Sequence, residues 1–188
     1  PPPPEDLRIE RVSASAHDGN VPTNVLDDDL GTRWSCEGTS GVWLKLVLSE
    51  RARVDAVRIA FYRGTARRAF FAIEISDDDL NYREVYRGQS SGTSNALETF
   101  AFAAAAARYV RILGFGNSSN AWNSYTEVRV RCEVLDSDGD GVSDRRELIL
   151  GTDPADPRDY FRIVGLSVAP DGSLAVEVRS AVGVRYRA

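Results

Sequence analysis

A single loop, Asn24-Val25-Leu26-Asp27-Asp28-Asp29-Leu30-Gly31-Thr32-Arg33-Trp34, governs the interpretation of the rest of the chain. It concentrates amide, carboxylate and hydroxyl oxygens just before a tryptophan. The run from Gly41 to Leu48 that follows alternates, and two later runs, 107–112 and 125–130, are rich in β-forming residues. Period-two alternation predicts strands. We therefore expect a polar loop embedded among β-strands.

Residues 7–135 contain about eight such runs, which are separated by clusters of Gly, Asn, Asp and Ser. The runs are 8–15, 42–48, 54–62, 70–76, 82–86, 97–102, 108–113 and 125–134. Short strands with turn signals between them predict an all-β fold, specifically a jelly-roll β-sandwich. The segment 103–107 is predicted to be a connection, and Trp34 and Trp43 are expected in the core.

Three of these segments resemble the discoidin domain, also called the coagulation-factor C-type domain. They are Asp27-x-Asp29-x-x-Thr32-x-Trp34, the strand Ala107-Arg108-Tyr109-Val110-Arg111-Ile112, and the closing strand that contains Glu127-Val128. The same galactose-binding-like fold includes family 32 carbohydrate-binding modules. The resemblance covers about 130 residues and implies a β-sandwich whose end loops bind a ligand.

In carbohydrate-binding members of this family, a structural calcium ion occupies the first loop. Carried over by position, the resemblance implies that Ca²⁺ is held by oxygens of Asn24, Asp27, Asp29, Thr32 and Glu127. Hard oxygen ligands of this kind suit Ca²⁺ without any resemblance. The alternative is a turn rich in Asn and Asp that holds no metal. Asp28 departs from the family, which usually has glycine at that position.

A second acidic loop, residues 136–147, has carboxylates at loop positions 1, 3, 5, 9 and 12 and Gly141 at position 6. This is the spacing of a twelve-residue calcium loop. The predicted ligands are Asp136, Asp138, Asp140, the Val142 carbonyl, Asp144 and Glu147. The alternative is a solvated acidic linker. Gly151 and Pro154 limit the following helix to about two turns, so residues 136–159 resemble a thrombospondin type 3 repeat.

The remaining segments complete the predicted organisation. Residues 1–6 are a proline-rich linker, and residues 160–188 carry a β-hairpin signature, either as the start of a truncated domain or as a hairpin packed on the calcium segment. The net charge of −5 lies largely in residues 136–159 and therefore indicates little about a partner. No apolar run reaches membrane-spanning length. We expect the chain to be a piece of a larger exported protein, secreted or at the cell surface. We do not expect it to bind nucleic acid or to insert into a membrane.

Cys36 and Cys132 are the two cysteines of the chain. One follows the first calcium loop and the other follows Glu127. If an ion brings Thr32 and Glu127 together, the two cysteines are expected to meet as well, and a disulfide would suit an exported protein. Two buried thiols are the alternative.

A site for an acidic sugar needs arginines for the carboxylate and polar groups for hydroxyls. Three loops offer such groups: 16–20, 62–68 and 116–124. The second and third resemble the corresponding segments of modules attached to bacterial polysaccharide lyases, notably alginate lyases. The predicted ligand contacts are Tyr62, Arg63, Arg67, Asn117, Asn120 and Asn123, with His17 and Trp122 as further candidates. Ordinary turn chemistry and solvated arginines are the alternatives, and for Trp122 a packing role over the end of the sandwich.

Catalysis is not expected. His17 is the sole histidine and lacks a nucleophile motif, there is no glycine-rich phosphate loop, and the paired carboxylates stand at calcium-ligand spacing. The sequence favours a non-catalytic, calcium-stabilised carbohydrate-binding module, attached to a catalytic domain and binding an acidic polysaccharide such as alginate. The alternative is a cell-surface adhesion or protein-binding module.

Overall fold

The structure is a computed structural model that describes residues 5–133, 135–159, 162–168 and 174–179. Residues 5–133 form one compact unit, and the described residues from 135 onward belong to a second. The first unit contains eight strands and one short 3-10 helix. They are β1 Glu5–Leu7, β2 Ile9–Ala14, the 3-10 helix Pro22–Leu26, β3 Trp34–Glu37, β4 Val42–Phe61, β5 Ala69–Ser76, β6 Arg83–Gln89, β7 Glu98–Asn117 and β8 Trp122–Cys132.

Two strands are much longer than the sequence pattern predicts. β4 and β7 each extend over 20 residues and join pairs of runs that were expected to be separate strands. The predicted connection at 103–107 is wrong, because Ala105, Ala106 and Ala107 pair with β4 inside the sheet. Pairing with a long neighbouring strand here overrides the helix preference of alanine.

Breaks in register divide these long strands between the two layers of a jelly-roll sandwich. Residues 42–47 of β4 pair with 109–114 of β7, whereas residues 52–59 pair with 98–107. The strand order of the first layer is β2-β4-β7-β5-β6. In the second layer the order is β7-β4-β8, and both β1 and β3 pair with β8. The predicted all-β jelly roll is confirmed.

The core lies between the two layers, and at the start of β4 buried residues alternate with less buried ones. On β4, Val42, Leu44, Leu46 and Leu48 are buried. An aromatic cluster closes one end, where the Trp34 and Tyr125 ring centroids are 5.3 Å apart and those of Phe61 and Tyr125 are 5.5 Å apart. Trp34 is fully buried as predicted.

Trp43 is not a core residue, and that prediction is wrong. It alternates with the buried Val42 and Leu44, so its side chain lies on the outer face of the sheet, where it is partly exposed. Its ring lies 5.9 Å from Lys45 Nζ. The β-rich composition of the run predicted the strand, but it did not reveal which face looks inward.

The second unit contains one short helix and one pair of strands among its described residues. Helix α1, Asp144–Leu150, begins after Ser143, whose hydroxyl accepts a hydrogen bond from Arg146 N, and ends at Gly151 with φ +73°. Strands β9, Arg162–Val168, and β10, Leu174–Arg179, pair antiparallel, which confirms the predicted hairpin. None of the described helices is both long and apolar enough to span a membrane.

The ends of the predicted segments fall partly outside the described residues. The proline run at 1–4, the hairpin turn at 169–173 and the tail beyond 179 are not described. Residues 5 and 6, predicted to belong to the proline-rich linker, are the first residues of β1 and pair with Cys132 and Arg131.

The expected contact between Cys36 and Cys132 does not form. Both are buried thiols that are not joined to each other. The reason is strand direction: β3 runs antiparallel to β8, so that Cys36 lies opposite Asn123. Cys132 is nine residues further along β8, or about 30 Å at the usual rise per residue. A disulfide requires Cα atoms within about 7 Å.

We predict that reductant leaves thermal unfolding of the protein unchanged. The protein has no disulfide for the reductant to break, so the reductant does not change the conformational entropy of the unfolded chain. The measurement is calorimetric unfolding with and without dithiothreitol, together with thiol titration under denaturing, non-reducing conditions, for which we expect two thiols per chain. A fall in the unfolding temperature with reductant would contradict the register of β3 on β8.

Candidate functional site: two oxygen-rich loops and an arginine cluster

The loop after the 3-10 helix gathers oxygens around the Thr32 hydroxyl. That hydroxyl donates a hydrogen bond to Asp27 Oδ2 at 2.7 Å, and it lies 3.3 Å from the Asn24 carbonyl oxygen and 3.2 Å from that of Asp29. Asn24 Nδ2 donates to the Arg33 carbonyl at 2.9 Å, which fixes the end of the loop. The four predicted loop ligands therefore do lie together.

Glu127, the predicted distant ligand, is nearly fully buried on β8. One of its carboxylate oxygens accepts a hydrogen bond from Arg129, while the other is buried and has no partner. Burial raises the pKa of Glu127, although Arg129 and the Asp28 backbone oppose that shift. A buried carboxylate oxygen without a donor, next to an oxygen-rich loop, suits a hard cation such as Ca²⁺.

Asp28, which replaces the usual family glycine, has a structural explanation. Its φ of +61° lies in the left-handed region that glycine enters freely, and its carboxylate pairs with Arg129. Arg129 thus links Asp28 to Glu127 across the loop and β8. The additional negative charge of Asp28 is compensated by an arginine beside the predicted ion site.

The second loop brings three carboxylates to one point. Oxygen atoms of Asp136, Asp138 and Asp140 all lie within 4.8 Å of one another. Gly139 and Gly141 have φ values of +78° and +95°, and their N–H groups donate to the Asp136 carboxylate at 2.9 and 3.2 Å. These left-handed residues turn the chain around the carboxylates.

Glu147 on helix α1 lies close enough to this cluster to be affected by its charges. It is fully buried, and neither of its carboxylate oxygens has a hydrogen-bond partner. Burial, followed by the charges of Asp138 and Asp140, raises the pKa of Glu147 to about 6. Two orphaned oxygens of one carboxylate that face other carboxylates fit a bidentate ligand of Ca²⁺.

The two remaining predicted ligands have visible roles within the loop. Asp144 accepts hydrogen bonds from Ser137 N at 2.7 Å and from Ser137 Oγ at 2.6 Å, so its carboxylate ties the loop to the start of the helix. Val142 N donates to Asp140 Oδ1 at 2.7 Å, which holds Val142 within the turn.

A cluster of arginines surrounds Tyr62 at the end of β4. The guanidinium carbons of Arg33, Arg67 and Arg63 lie 4.2, 5.5 and 6.0 Å from the centre of the Tyr62 ring. Burial, and then the charge of Arg63, lowers the pKa of Arg67. Within the described part of the chain, none of the three arginines pairs with a carboxylate.

Backbone contacts set this cluster in place. Tyr62 N donates to the Ser124 carbonyl on β8 at 3.1 Å, and Arg67 Nε donates to the Tyr62 carbonyl at 3.3 Å. Gly64 lies in the turn between them, where a Cβ atom would come within 2.0 Å of the Ser94 carbonyl oxygen. Only glycine allows the loop to approach its neighbour so closely.

The asparagine-rich loop is mostly self-supporting. Asn117 is buried and donates through Nδ2 to Asn120 Oδ1 and to the Trp122 carbonyl, both at 2.7 Å. Asn123 is buried, accepts from Gly116 N and donates to the Cys36 and Gly38 carbonyls. These two amides support the loop rather than face a ligand, and of the three asparagines only Asn120 is exposed.

The arginine loop and the asparagine loop are neighbours. Ser118 N donates to the Arg68 carbonyl at 2.8 Å, and Arg68 N donates to Ser118 Oγ at 3.1 Å, which joins the arginine loop to the asparagine loop. Trp122 is partly exposed at the start of β8. His17 is exposed, and its Nδ1 accepts a hydrogen bond from Gly19 N, as expected of a turn residue.

Arg33 belongs to the cluster but was not predicted from the sequence. It lies between the calcium-loop residue Thr32 and the core residue Trp34, and nothing in its neighbourhood in the sequence links it to Tyr62. The pairing of β3 and β4 with β8 brings them together. Arginine supplies nearly all of the 23 basic residues, so composition gave no signal either.

Comparison with known proteins gives two family matches. Residues 9–128 match the family described as F5/8 type C domain, and residues 136–157 match the bacterial TSP3 repeat. No curated protein matches the chain.

Similar solved structures come from carbohydrate-binding modules. The family 32 module of AlyQ, in complex with 4,5-unsaturated mannuronic acid, is 48% identical over 67% of this chain and 97% of its own, with a TM-score of 0.65. A truncated AlyQ with family 32 module and alginate lyase domains is 39% identical over 93% of this chain and 42% of its own, with a TM-score of 0.68. A pectin-binding module is 29% identical over 66% of this chain and 91% of its own, with a TM-score of 0.63.

These matches confirm both resemblances that the sequence indicated, in the predicted order along the chain. The chain therefore belongs to the F5/8 type C, or discoidin, domain family and carries a bacterial TSP3 repeat after that domain.

Proposed function

We propose that this chain is a non-catalytic, calcium-stabilised carbohydrate-binding module of a larger exported polysaccharide-degrading protein, and that it binds an acidic polysaccharide such as alginate. The observation that carries the proposal is the cluster of Arg33, Arg63 and Arg67 around Tyr62, which has no carboxylate partner among the described residues. Several other arginines of the same unit pair with acidic neighbours, as Arg131 does with Asp55.

Electrostatics gives this cluster its binding chemistry. Three cations around one ring repel one another, and a carboxylate bound among them relieves that repulsion. The planar guanidinium group pairs with a carboxylate through two parallel hydrogen bonds, which adds geometric selectivity to the charge attraction. Arg33 lies 4.2 Å from the centre of the Tyr62 ring, so the ring supports the arginines and is not a free platform for a sugar.

Exposed polar groups on the adjoining loops supply contacts for sugar hydroxyls. We assign this role to Asn120, with His17 and Trp122 at the margin of the site, while Asn117 and Asn123 keep the loop in shape. The similarity to a module solved with an unsaturated mannuronic acid supports an acidic ligand, and the two-domain AlyQ structure supports an attached lyase.

Calcium acts here as a structural ion. Asn24, Asp27, Asp29, Thr32 and Glu127 would hold one ion in the sandwich, and Asp136, Asp138, Asp140, Val142, Asp144 and Glu147 would hold another in the TSP3 segment, Asp144 through water. When bound, each ion supplies positive charge that offsets the crowded carboxylates. The first ion would fix the loop that ends in Arg33, and thus one edge of the arginine cluster.

We predict that Arg67→Gln weakens binding of alginate oligosaccharides about tenfold or more and leaves the unfolding temperature nearly unchanged. A hydrogen bond to a charged group contributes about 1.5–3 kcal/mol, and 1.4 kcal/mol corresponds to a factor of ten. Calorimetric titration at two salt concentrations measures the effect, with neutral galactan as the comparison ligand.

The matched control is Arg83→Gln, an exposed arginine on β6 that lies outside the cluster and gives the same change in net charge. It should bind like the wild type. Equal binding of neutral and acidic glycans would contradict recognition of a carboxylate. Failure to bind any glycan would favour the adhesion or protein-binding alternative.

We predict that the protein binds two calcium ions and that Glu147→Gln and Glu127→Gln each remove one. In chelator, Glu147→Gln should be more stable than the wild type at pH 7. The folded-state pKa of Glu147 is about 6, above its usual value of 4.5, so the ion-free wild type loses stability as pH rises from about 4.5 to 6. The amide carries no charge and escapes that loss.

Equilibrium dialysis with metal analysis gives the number of ions, and thermal unfolding in chelator between pH 4 and 7 gives the stability. Asp153→Asn, a change at an exposed carboxylate outside both ligand sets, serves as the control and should retain two ions. Two ions bound by Glu147→Gln would contradict the assignment of this residue as a ligand.

A further inference from the structure

We propose that a cleft beside the arginine cluster is a second subsite, which binds the sugar residue next to the one whose carboxylate the arginines hold. This inference rests on the proposed function and extends it from one sugar residue to two. The cleft has a volume of about 490 Å³, within the range of ligand sites, and is lined by Leu30, Tyr62, Arg63, Thr65, Asn95 and Thr126 among others.

A β-bulge places Thr126 in the wall of this cleft. Ala60 pairs with Glu127 and Phe61 pairs with Tyr125, so Thr126 has no partner residue on β4. Bulges redirect side chains and are frequent beside functional sites. Here the irregularity places a threonine at the cleft wall between the core residue Tyr125 and the predicted calcium ligand Glu127.

The Thr126 hydroxyl is the second independent sign of a ligand. The residue is only 3% exposed, and its Oγ1 is buried with no hydrogen-bond partner. A buried hydroxyl without a partner is destabilising, so native proteins rarely keep one unless water or a ligand completes it. A sugar hydroxyl in the cleft would supply that missing hydrogen bond.

The rest of the lining suits a pyranose ring. Leu30, Phe61 and Ala66 provide apolar surface, and Leu30 is half exposed at the edge. Asn95 Oδ1 accepts a hydrogen bond from Thr65 N at 3.3 Å, which orients the exposed amide beside the cleft. Apolar surface with a few fixed polar groups is the usual composition of a sugar-sized site.

The first sugar residue, whose carboxylate the arginine cluster binds, lies outside the cleft, and the second lies within it. Arg63 lines the cleft and also belongs to the cluster around Tyr62, so one chain can contact both. A neighbouring cleft that shares Leu30 contains Arg58 and Arg129, but Asp6 pairs with the first, and Glu127 and Asp28 pair with the second. Its positive charge is neutralised, and the acidic chain is assigned to the first cleft alone.

The test compares Thr126→Val with the wild type by calorimetric titration against a uronate monosaccharide and a uronate trisaccharide. The substitution removes the hydroxyl at nearly constant volume. We expect wild type to bind the trisaccharide more tightly than the monosaccharide. Thr126→Val should lose about threefold to tenfold affinity for the trisaccharide, the equivalent of one hydrogen bond, with no change for the monosaccharide.

The unfolding temperature of Thr126→Val distinguishes a ligand-binding hydroxyl from a structural one. Because the hydroxyl lacks a partner, Thr126→Val should unfold at the same temperature as wild type or higher. A lower unfolding temperature would mean that the hydroxyl is bonded within the folded protein and would overturn the proposal. Asn95→Ala, at an exposed position, provides a second test with the same expected selective loss.

Thr99→Val is the matched control, because Thr99 is an exposed threonine on β7 that does not line the cleft. It should bind both sugars as wild type does. Equal affinities for the two sugars in wild type, or an unchanged trisaccharide affinity in both Thr126→Val and Asn95→Ala, would overturn the subsite and leave the arginine site intact. Absence of binding to either sugar would overturn the proposed function together with the subsite.

Discussion

Antiparallel pairing of β3, β8 and β4 in one register is the constraint on which the candidate site depends. It sets Trp34 opposite Tyr125, and Tyr125 opposite Phe61, so that three aromatic residues from distant parts of the chain pack together in the core. Each has a functional neighbour one residue away: Arg33, Thr126 and Tyr62. Arg33 directly precedes β3, Tyr62 directly follows β4, and Thr126 lies at the bulge of β8, so the packed aromatic residues fix the points of the chain beside which these neighbours lie.

This arrangement lets a hydrophobic core support an otherwise unfavourable concentration of charge. Arg33, Arg63 and Arg67 repel one another around Tyr62, and they remain there because backbone hydrogen bonds and the buried aromatic residues hold their loops in position. The oxygen-rich loops carry the opposite charge in the same way. Glu147 is buried with no donor for either carboxylate oxygen, and Glu127 is buried with no donor for one of its two. Clusters of like charge that the fold holds together attract ions or ligands of the opposite charge.

The sequence predicted the parts of the molecule that are local in the chain. Ligand spacing and Gly141 identified the loop at 136–147, where Asp136, Asp138 and Asp140 lie together. Alternation identified most strands, and the discoidin-like segments identified the jelly roll. For Trp43, the pattern gave the strand but not the face, because both faces of this sheet carry large residues.

Features that depend on pairing between distant strands were beyond a reading of the sequence. Arg33 joins the cluster, and Cys36 and Cys132 remain apart, because of one antiparallel register that no local pattern specifies. The roles of Asn117 and Asn123 were equally hidden, since composition cannot distinguish an amide that faces solvent from one used by its own loop. Thr126 became a candidate binding residue only from two structural observations, the bulge in β8 and its hydroxyl without a hydrogen-bond partner.

A crystal structure of the protein with calcium and an acidic trisaccharide would test most directly whether the arginine cluster binds a sugar carboxylate. We expect a sugar carboxylate within hydrogen-bond distance of Arg33 or Arg67, near the place where Trp34, Tyr125 and Phe61 meet. A trisaccharide bound on the outer sheet face around Trp43, with the arginine cluster unoccupied, would contradict it.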